Sequence, residues 1–162
     1  MRKVIFLLVI LPLSAMANLK VGDTPPSFLG KNRLGQEIQL ADMKGKVVVA
    51  TFWASWCPPC LKEMNVLEKM QRQVGKDKLE IVAINFKEDK KRYNKIKKKL
   101  SHLKLTLTHD RRGSISRKYG VKSIPHMFII NKLGLIEHIH LGYNESSLTQ
   151  LVDELNELLA SS

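Results

Sequence analysis

The sequence contains only two cysteines, and two prolines separate them in the segment Trp56-Cys57-Pro58-Pro59-Cys60. A disulfide across so short a ring constrains the unfolded chain far less than one that closes a long loop. A purely structural disulfide is therefore a weak explanation of this cysteine pair. A thiolate can attack a disulfide, and a second thiol nearby can resolve the mixed disulfide that forms. The spacing thus favours thiol–disulfide exchange, with Cys57 attacking and Cys60 resolving.

Other uses of two cysteines fit less well. Two thiols are too few for a four-cysteine zinc site. Cys60 is followed by Leu61, whereas a haem-attachment motif needs histidine there. We therefore expect no metal and no bound cofactor, the redox group being the Cys57–Cys60 pair itself.

A buried strand and a helix should position the pair. The run Val47 to Trp53 is β-branched, aromatic and continuous, as in a strand buried on both faces. From Pro59 to about Val74, apolar residues recur at helical spacing. Cys57 then lies at a helix N-terminus, where unpaired N–H groups and the helix dipole favour a thiolate.

The two intervening prolines limit that stabilisation. Neither Pro58 nor Pro59 has an amide N–H, so two potential donors to the Cys57 thiolate are absent. A well-stabilised dithiol is what makes a strong oxidant. The sequence therefore favours a reductant.

The rest of the chain predicts one α/β domain at 18–162 with a mixed sheet. No internal repeat or low-complexity linker interrupts it. The further predicted elements are a hairpin that turns at Leu34-Gly35 and includes Ile38 and Leu40, a strand at 79–85, a basic helix at 87–100, a strand with Leu103, Leu105 and Leu107, a brief helix at 115–119, an antiparallel strand pair at 127–131 and 135–141, and a last helix near 145–159.

A proline precedes the strand predicted at 127–131. A proline at the mouth of a strand is tolerated as a cis bond in a tight turn. An ordinary trans turn is the alternative, but the cysteine pair makes us favour a cis Ile124–Pro125 bond. The backbone of Ile124 would then face a substrate chain.

The first residues predict export. Arg2 and Lys3 precede an apolar run from Val4 to Leu13, and Ala15-Met16-Ala17 offers small residues for a cleavage site. The run is shorter than the roughly 20 residues of a spanning helix. A signal peptide at 1–17, cleaved after Ala17, is therefore favoured over an uncleaved anchor. Without a cysteine near that site, a lipoprotein anchor is not expected.

The chain is strongly basic, with a formal net charge of +12, of which the leader carries two charges. Such a charge suits contact with an anionic membrane surface, or simply keeps an exported domain soluble. No zinc-finger spacing, RNA-binding signature or clear recognition helix is present, so nucleic acid is not an expected partner.

Three segments together resemble the TlpA-like branch of the thioredoxin superfamily, which includes ResA-type and cytochrome-maturation thioredoxins. They are the run from Val47 to Cys60, the lead-in from Gly22 to Phe28, and Tyr119-Gly120-Val121 with Ile124-Pro125. The resemblance implies a thioredoxin fold, in which helices flank a central mixed sheet, with an added N-terminal hairpin and a central insertion. We also expect a monomer in which Trp56, Ile124 and Pro125 contact the substrate.

The implied activity is dithiol exchange outside the cytoplasmic membrane. Its direction would be reduction of protein substrates that carry cysteine pairs, for example in cytochrome c maturation. A membrane thiol reductase would supply the electrons.

The chain departs from the superfamily pattern at Thr51 and at His126. Many thioredoxins carry a buried acid where this chain has Thr51, whereas ResA-type relatives often carry an acid at the position of Glu63. Glu63 could take the proton that Cys60 must lose, or it could be a solvated first-turn acid. Glu88 is a second candidate for the same task. His126 follows the proline where the superfamily often has threonine; it could tune Cys57 or face solvent, and we expect the latter.

Three rival functions remain. An oxidase or isomerase would share this fold and differ in redox potential. A peroxidase of the related redoxin class would need threonine and proline where Ala54 and Ala50 precede Cys57. A non-catalytic binding module would be expected to have lost a motif cysteine.

Overall fold

The computed structural model describes residues 19–144 and 146–161, so the predicted leader at 1–17 lies outside the described residues. A small antiparallel hairpin comes first, and five further strands form one larger sheet. The strands are β1 Phe28–Lys31, β2 Glu37–Gln39, β3 Val47–Trp53, β4 Leu79–Phe86, β5 Thr106–Asp110, β6 His126–Ile130 and β7 Ile136–Leu141.

The larger sheet is mixed and has the order β5-β4-β3-β6-β7, which places β3 at its centre. β3, β4 and β5 are parallel to one another, whereas β6 and β7 run antiparallel to their neighbours. The predicted α/β fold, the mixed sheet with flanking helices and the N-terminal hairpin are confirmed.

Helices cover the sheet on both faces. They are α1 Pro58–Val74, α2 Lys90–Lys99, α3 Ser114–Lys118 and α4 Ser146–Ala160. Because side chains alternate along a strand, Val47 and Val49 of β3 pack with α1, α2 and α4. Val48 and Phe52 pack on the other face, with α3 and the hairpin. Among the residues described, no helix is long and apolar enough to cross a membrane.

A close approach fixes the hairpin to the larger sheet. Gly30 has φ +111°, and a Cβ there would lie 2.8 Å from the Cβ of Thr108. The Thr108 hydroxyl donates a hydrogen bond to the Leu29 carbonyl at 2.7 Å. Only glycine suits both the backbone and the contact.

Three predicted element boundaries were wrong. Leu40 begins a short 3-10 helix and does not extend the hairpin. α2 begins at Lys90, three residues after its predicted start, because Asp89 accepts a hydrogen bond from the Arg92 N–H and caps the helix. Leu103 and Leu105 are buried in the core but precede β5, which starts at Thr106.

Candidate active site

Cys57 and Cys60 form a disulfide at the start of α1, with their Cα atoms 5.3 Å apart. Cys57 is the N-cap of this helix, and its Sγ accepts a hydrogen bond from the Cys60 N–H at 3.3 Å. Cys57 is 6% exposed and Cys60 is 0% exposed. A partner sulfur can therefore reach Cys57 first, while Cys60 can act only from inside.

Glu63 lies within α1, close to the central strand. Thr51 lies on β3 in the same alternating set as Val49 and Trp53, so its side chain faces α1. The Thr51 hydroxyl donates a hydrogen bond to Glu63 Oε1 at 2.7 Å. Glu63 is only 2% exposed, so the interpretation as a solvated first-turn acid is wrong.

The environment of Glu63 makes it a base near neutral pH. Burial raises the pKa of the Glu63 carboxyl from 4.5 to about 7, with the hydrogen bond from Thr51 acting in the opposite direction. A carboxyl group with this pKa can exchange a proton with its surroundings near pH 7. That is the property a proton acceptor for a thiol requires.

The raised pKa should appear in the stability of the oxidised protein. The folded state keeps the Glu63 proton up to about pH 7, whereas the unfolded chain loses it near 4.5. Between these values the folded state binds more protons, so stability falls as pH rises, by about 3 kcal/mol in total. Urea denaturation of wild type and Glu63→Gln from pH 4 to 9 measures the effect.

The difference in unfolding free energy, wild type minus Glu63→Gln, should decline across that window and be flat above and below it. Glu68→Gln, a change to another buried acid of α1, is the matched control. A wild-type minus Glu63→Gln difference that stays constant with pH would contradict the raised pKa.

Glu88 anchors the loop that carries the cysteines. Its Oε2 accepts hydrogen bonds from the Ser55 N–H at 2.8 Å and from Asn85 Nδ2 at 2.6 Å, and its Oε1 accepts one from the Ser55 hydroxyl. The carboxyl ends of the parallel strands β3 and β4 meet at one edge, which brings these residues together. The contacts hold the backbone two residues before Cys57.

The Ile124–Pro125 bond is cis, as predicted. Pro125 is buried, and its carbonyl accepts a hydrogen bond from the Gly142 N–H at 2.9 Å. Ile124 is partly buried and packs against the apolar clusters on both faces of the sheet. Contact of Ile124 and Pro125 with a substrate stays a prediction.

His126 differs from expectation because it is 8% exposed. It begins β6, where it is paired with Phe52 of β3, and its ring stacks on Phe128 with the ring centroids 4.7 Å apart. The expectation that His126 faces solvent is wrong. Burial lowers the pKa of His126 to about 4, so the ring is neutral at pH 7 and lends no positive charge to a thiolate.

Two grooves flank the cysteines. Trp56 is 60% exposed and lines one of them. Pro58, Pro59 and Lys62 line the other, with Tyr143 and Asn144 from the loop after β7. The described part of the chain has no cluster of His, Cys, Asp or Glu that could hold a metal ion.

The sequence interpretation missed two partners. Thr51 donates to Glu63 and Ser55 donates to Glu88, and neither contact is predicted by the sequence. Strand alternation was the available signal for Thr51, because it lies two residues from Val49 and from Trp53 on the face that α1 covers. No sequence signal marks Ser55 as the partner of Glu88.

Comparison with known proteins agrees with this geometry. The redoxin family matches residues 20–159. Thioredoxin-like protein YneN of Bacillus subtilis is 36% identical over 126 residues, which cover 76% of this chain and 73% of YneN. Thiol-disulfide oxidoreductase ResA of Geobacillus thermodenitrificans is 34% identical over 122 residues, covering 75% of this chain and 70% of ResA.

A solved structure shows the same fold. The crystal structure of StoA from Bacillus subtilis is 26% identical, with a TM-score of 0.64, and the match covers 83% of this chain and 99% of StoA. The structure adds two features to these similarities. They are a cysteine pair at the start of a helix and a cis-proline before a strand. The chain therefore belongs to the redoxin family, as a thiol–disulfide oxidoreductase of the ResA-like branch of the thioredoxin superfamily.

Proposed function

We propose that this protein reduces disulfides of partner proteins outside the cytoplasmic membrane. The observation that carries the proposal is the pairing of Cys57, which keeps slight exposure, with a fully buried Cys60 at the first turn of α1. Pro58 and Pro59 leave the Cys60 N–H as the backbone donor to the Cys57 sulfur within the described part of the chain. A dithiol with so few donors is weakly stabilised, and it gives up its electrons readily.

The exchange takes two steps. The Cys57 thiolate attacks one sulfur of the partner's disulfide, forms a mixed disulfide and releases the partner's other sulfur as a thiolate. Cys60 then loses its proton and attacks the Cys57 sulfur. The products are the Cys57–Cys60 disulfide and a partner with two reduced cysteines, so two electrons pass from this protein to the partner.

Glu63 is the proposed acceptor of the Cys60 proton. It is buried on α1 three residues after Cys60, and the Thr51 hydroxyl fixes its carboxyl. Its pKa of about 7 lets it take a proton as Cys60 is deprotonated and return it later. Glu88 remains the second candidate, although its hydrogen bonds to Ser55 favour a positioning role.

The partners are proposed from chemistry and from the leader-like first segment. Substrates would be exported proteins with cysteine pairs, for example those handled in cytochrome c maturation. A membrane thiol reductase would return the Cys57–Cys60 disulfide to the dithiol. This protein would act as a monomer. Trp56, Ile124 and Pro125 would contact the substrate chain next to Cys57.

The reduction potential tests the direction of exchange. We expect a value nearer thioredoxin, about −270 mV, than the oxidant extreme of about −120 mV, because Pro58 and Pro59 offer no amide donors. Equilibration of the protein with glutathione buffers of known ratio measures it. Pro59→Ala restores one amide donor and should raise the potential.

A potential near the oxidant extreme would instead support the oxidase or isomerase alternative. In that case the oxidised form should also be less stable to denaturant than the reduced form. Both measurements use the same protein and separate the two directions without knowledge of the natural partner.

A further inference from the structure

A basic groove lies beside the active-site loop, between Trp56 and α2. Seven of the ten residues of α2 are Lys or Arg, and none is acidic. The groove has a volume of about 290 Å³. Its lining consists of Ser55 and Trp56 from the loop and Arg92, Lys95, Ile96 and Lys99 from α2.

The four helix residues recur at the spacing of one helical face, so their side chains converge on this groove. Within residues 19–144 and 146–161, Lys95 and Lys99 take part in no salt bridge. Arg92 has an ion pair with Asp89 at 3.6 Å, in which both side chains are exposed. Lys95 and Lys99 therefore give the groove a positive charge that no ion pair of the described residues offsets.

The groove also has an apolar wall. Trp56 is the largest exposed side chain of the domain, and the partly buried Ile96 lies in the same lining. An aromatic ring left in water next to cations is a suitable contact for a partner that covers it. The lining thus suits a chain segment that combines an apolar side chain with carboxylates.

We propose that this groove binds an acidic segment of the protein substrate, next to the cysteine that Cys57 attacks. The inference rests on the proposed exchange at Cys57 and adds the substrate class. Trp56 directly precedes Cys57 in the chain, so a segment held against its ring is already beside the attacking sulfur. The lining encloses a groove of about 290 Å³ and is not a flat face, which favours a protein segment over a membrane surface.

The charge should act mainly on the rate of encounter. Complementary charge around a binding site can raise association rates about tenfold or more, and salt screens this gain. Glu88 keeps the groove in place beside the cysteines, because it binds both the N–H and the hydroxyl of Ser55. A substrate with acidic residues should therefore react faster at low salt.

The test uses the reduced protein and three disulfide probes. Two are disulfide-linked peptides that differ only beside the cysteine, where the acidic peptide has Asp and Glu and the amide peptide has Asn and Gln. The third is the small neutral hydroxyethyl disulfide. The test variant is Lys95→Gln with Lys99→Gln. The matched control is Lys44→Gln with Lys78→Gln, which removes the same charge near the opposite ends of β3 and β4.

We expect wild type to reduce the acidic peptide about tenfold faster than the amide peptide at low salt, and the preference to shrink in 0.5 M salt. The groove variant should lose most of this preference, and the control pair should keep it. All three proteins should reduce hydroxyethyl disulfide at the same rate.

Equal rates for the two peptides, with normal reduction of hydroxyethyl disulfide, would overturn the groove proposal and leave the exchange function intact. No reaction with hydroxyethyl disulfide would instead refute the exchange function itself. A groove variant that loses binding to phosphatidylglycerol vesicles but keeps its peptide preference would assign these lysines to the membrane, and it would also overturn the proposal.

Discussion

Cys60→Ser is expected to abolish turnover while the protein still captures its partners. Cys57 is the cysteine with residual exposure, and it caps α1, so it should attack a partner disulfide without help from Cys60. With serine at position 60, nothing inside the protein can resolve the mixed disulfide. Covalent complexes with natural partners should therefore accumulate.

Non-reducing gels of cell extracts measure this accumulation. The same extracts run with reductant should lose the covalent complexes. The matched control is Cys57→Ser. Its one remaining thiol belongs to Cys60, which is fully buried. We expect that control to trap nothing. Trapping by Cys57→Ser and not by Cys60→Ser would reverse the roles assigned to the two cysteines.

Glu63→Gln is expected to slow exchange by about 10²-fold, because general base assistance at the deprotonation of Cys60 is lost. Glutamine keeps the size of the side chain and can still accept the hydrogen bond from the Thr51 hydroxyl, so the fold should survive. The wild-type rate should rise with pH through about 7 as Glu63 ionises. The variant should lose this rise.

Stopped-flow measurement of resolution from pH 5 to 9 tests both effects. Glu68→Gln, on the same helix, should leave the rate and the pH profile as in wild type. Glu88→Gln tests the second candidate: as a positioning residue it should lower the rate and leave the midpoint of the profile unchanged. Wild-type rate and pH profile in Glu63→Gln would exclude Glu63 as the proton acceptor.

Local patterns were enough to predict most of the fold. The unbroken apolar run at 47–53 and the helical repeat that follows it predict β3 and α1, and these two elements alone put Cys57 at a helix start. Boundaries were less predictable where two signals competed. Leu103 and Leu105 alternate like a strand, yet they are buried in the core ahead of β5.

The inner environment of the site could not be predicted from the sequence, because it depends on contacts between distant segments. Glu63 is a candidate base only when Thr51 and the sheet bury it, and first-turn acids exposed to water have the same sequence pattern. His126 reads as a polar residue after a turn, but pairing with Phe52 buries it. Such burial is decided by strand register, which a single sequence does not reveal.

The central position of β3 also sets the order in which the molecule can assemble. Its parallel partner β4 follows soon after α1, but its other neighbour comes late, since Val48 pairs with Ile130. A chain emerging from the ribosome thus carries both cysteines long before β6 is available to pair with β3. Non-local pairing of this kind makes folding slow, so both thiols stay open to reaction until the sheet is complete.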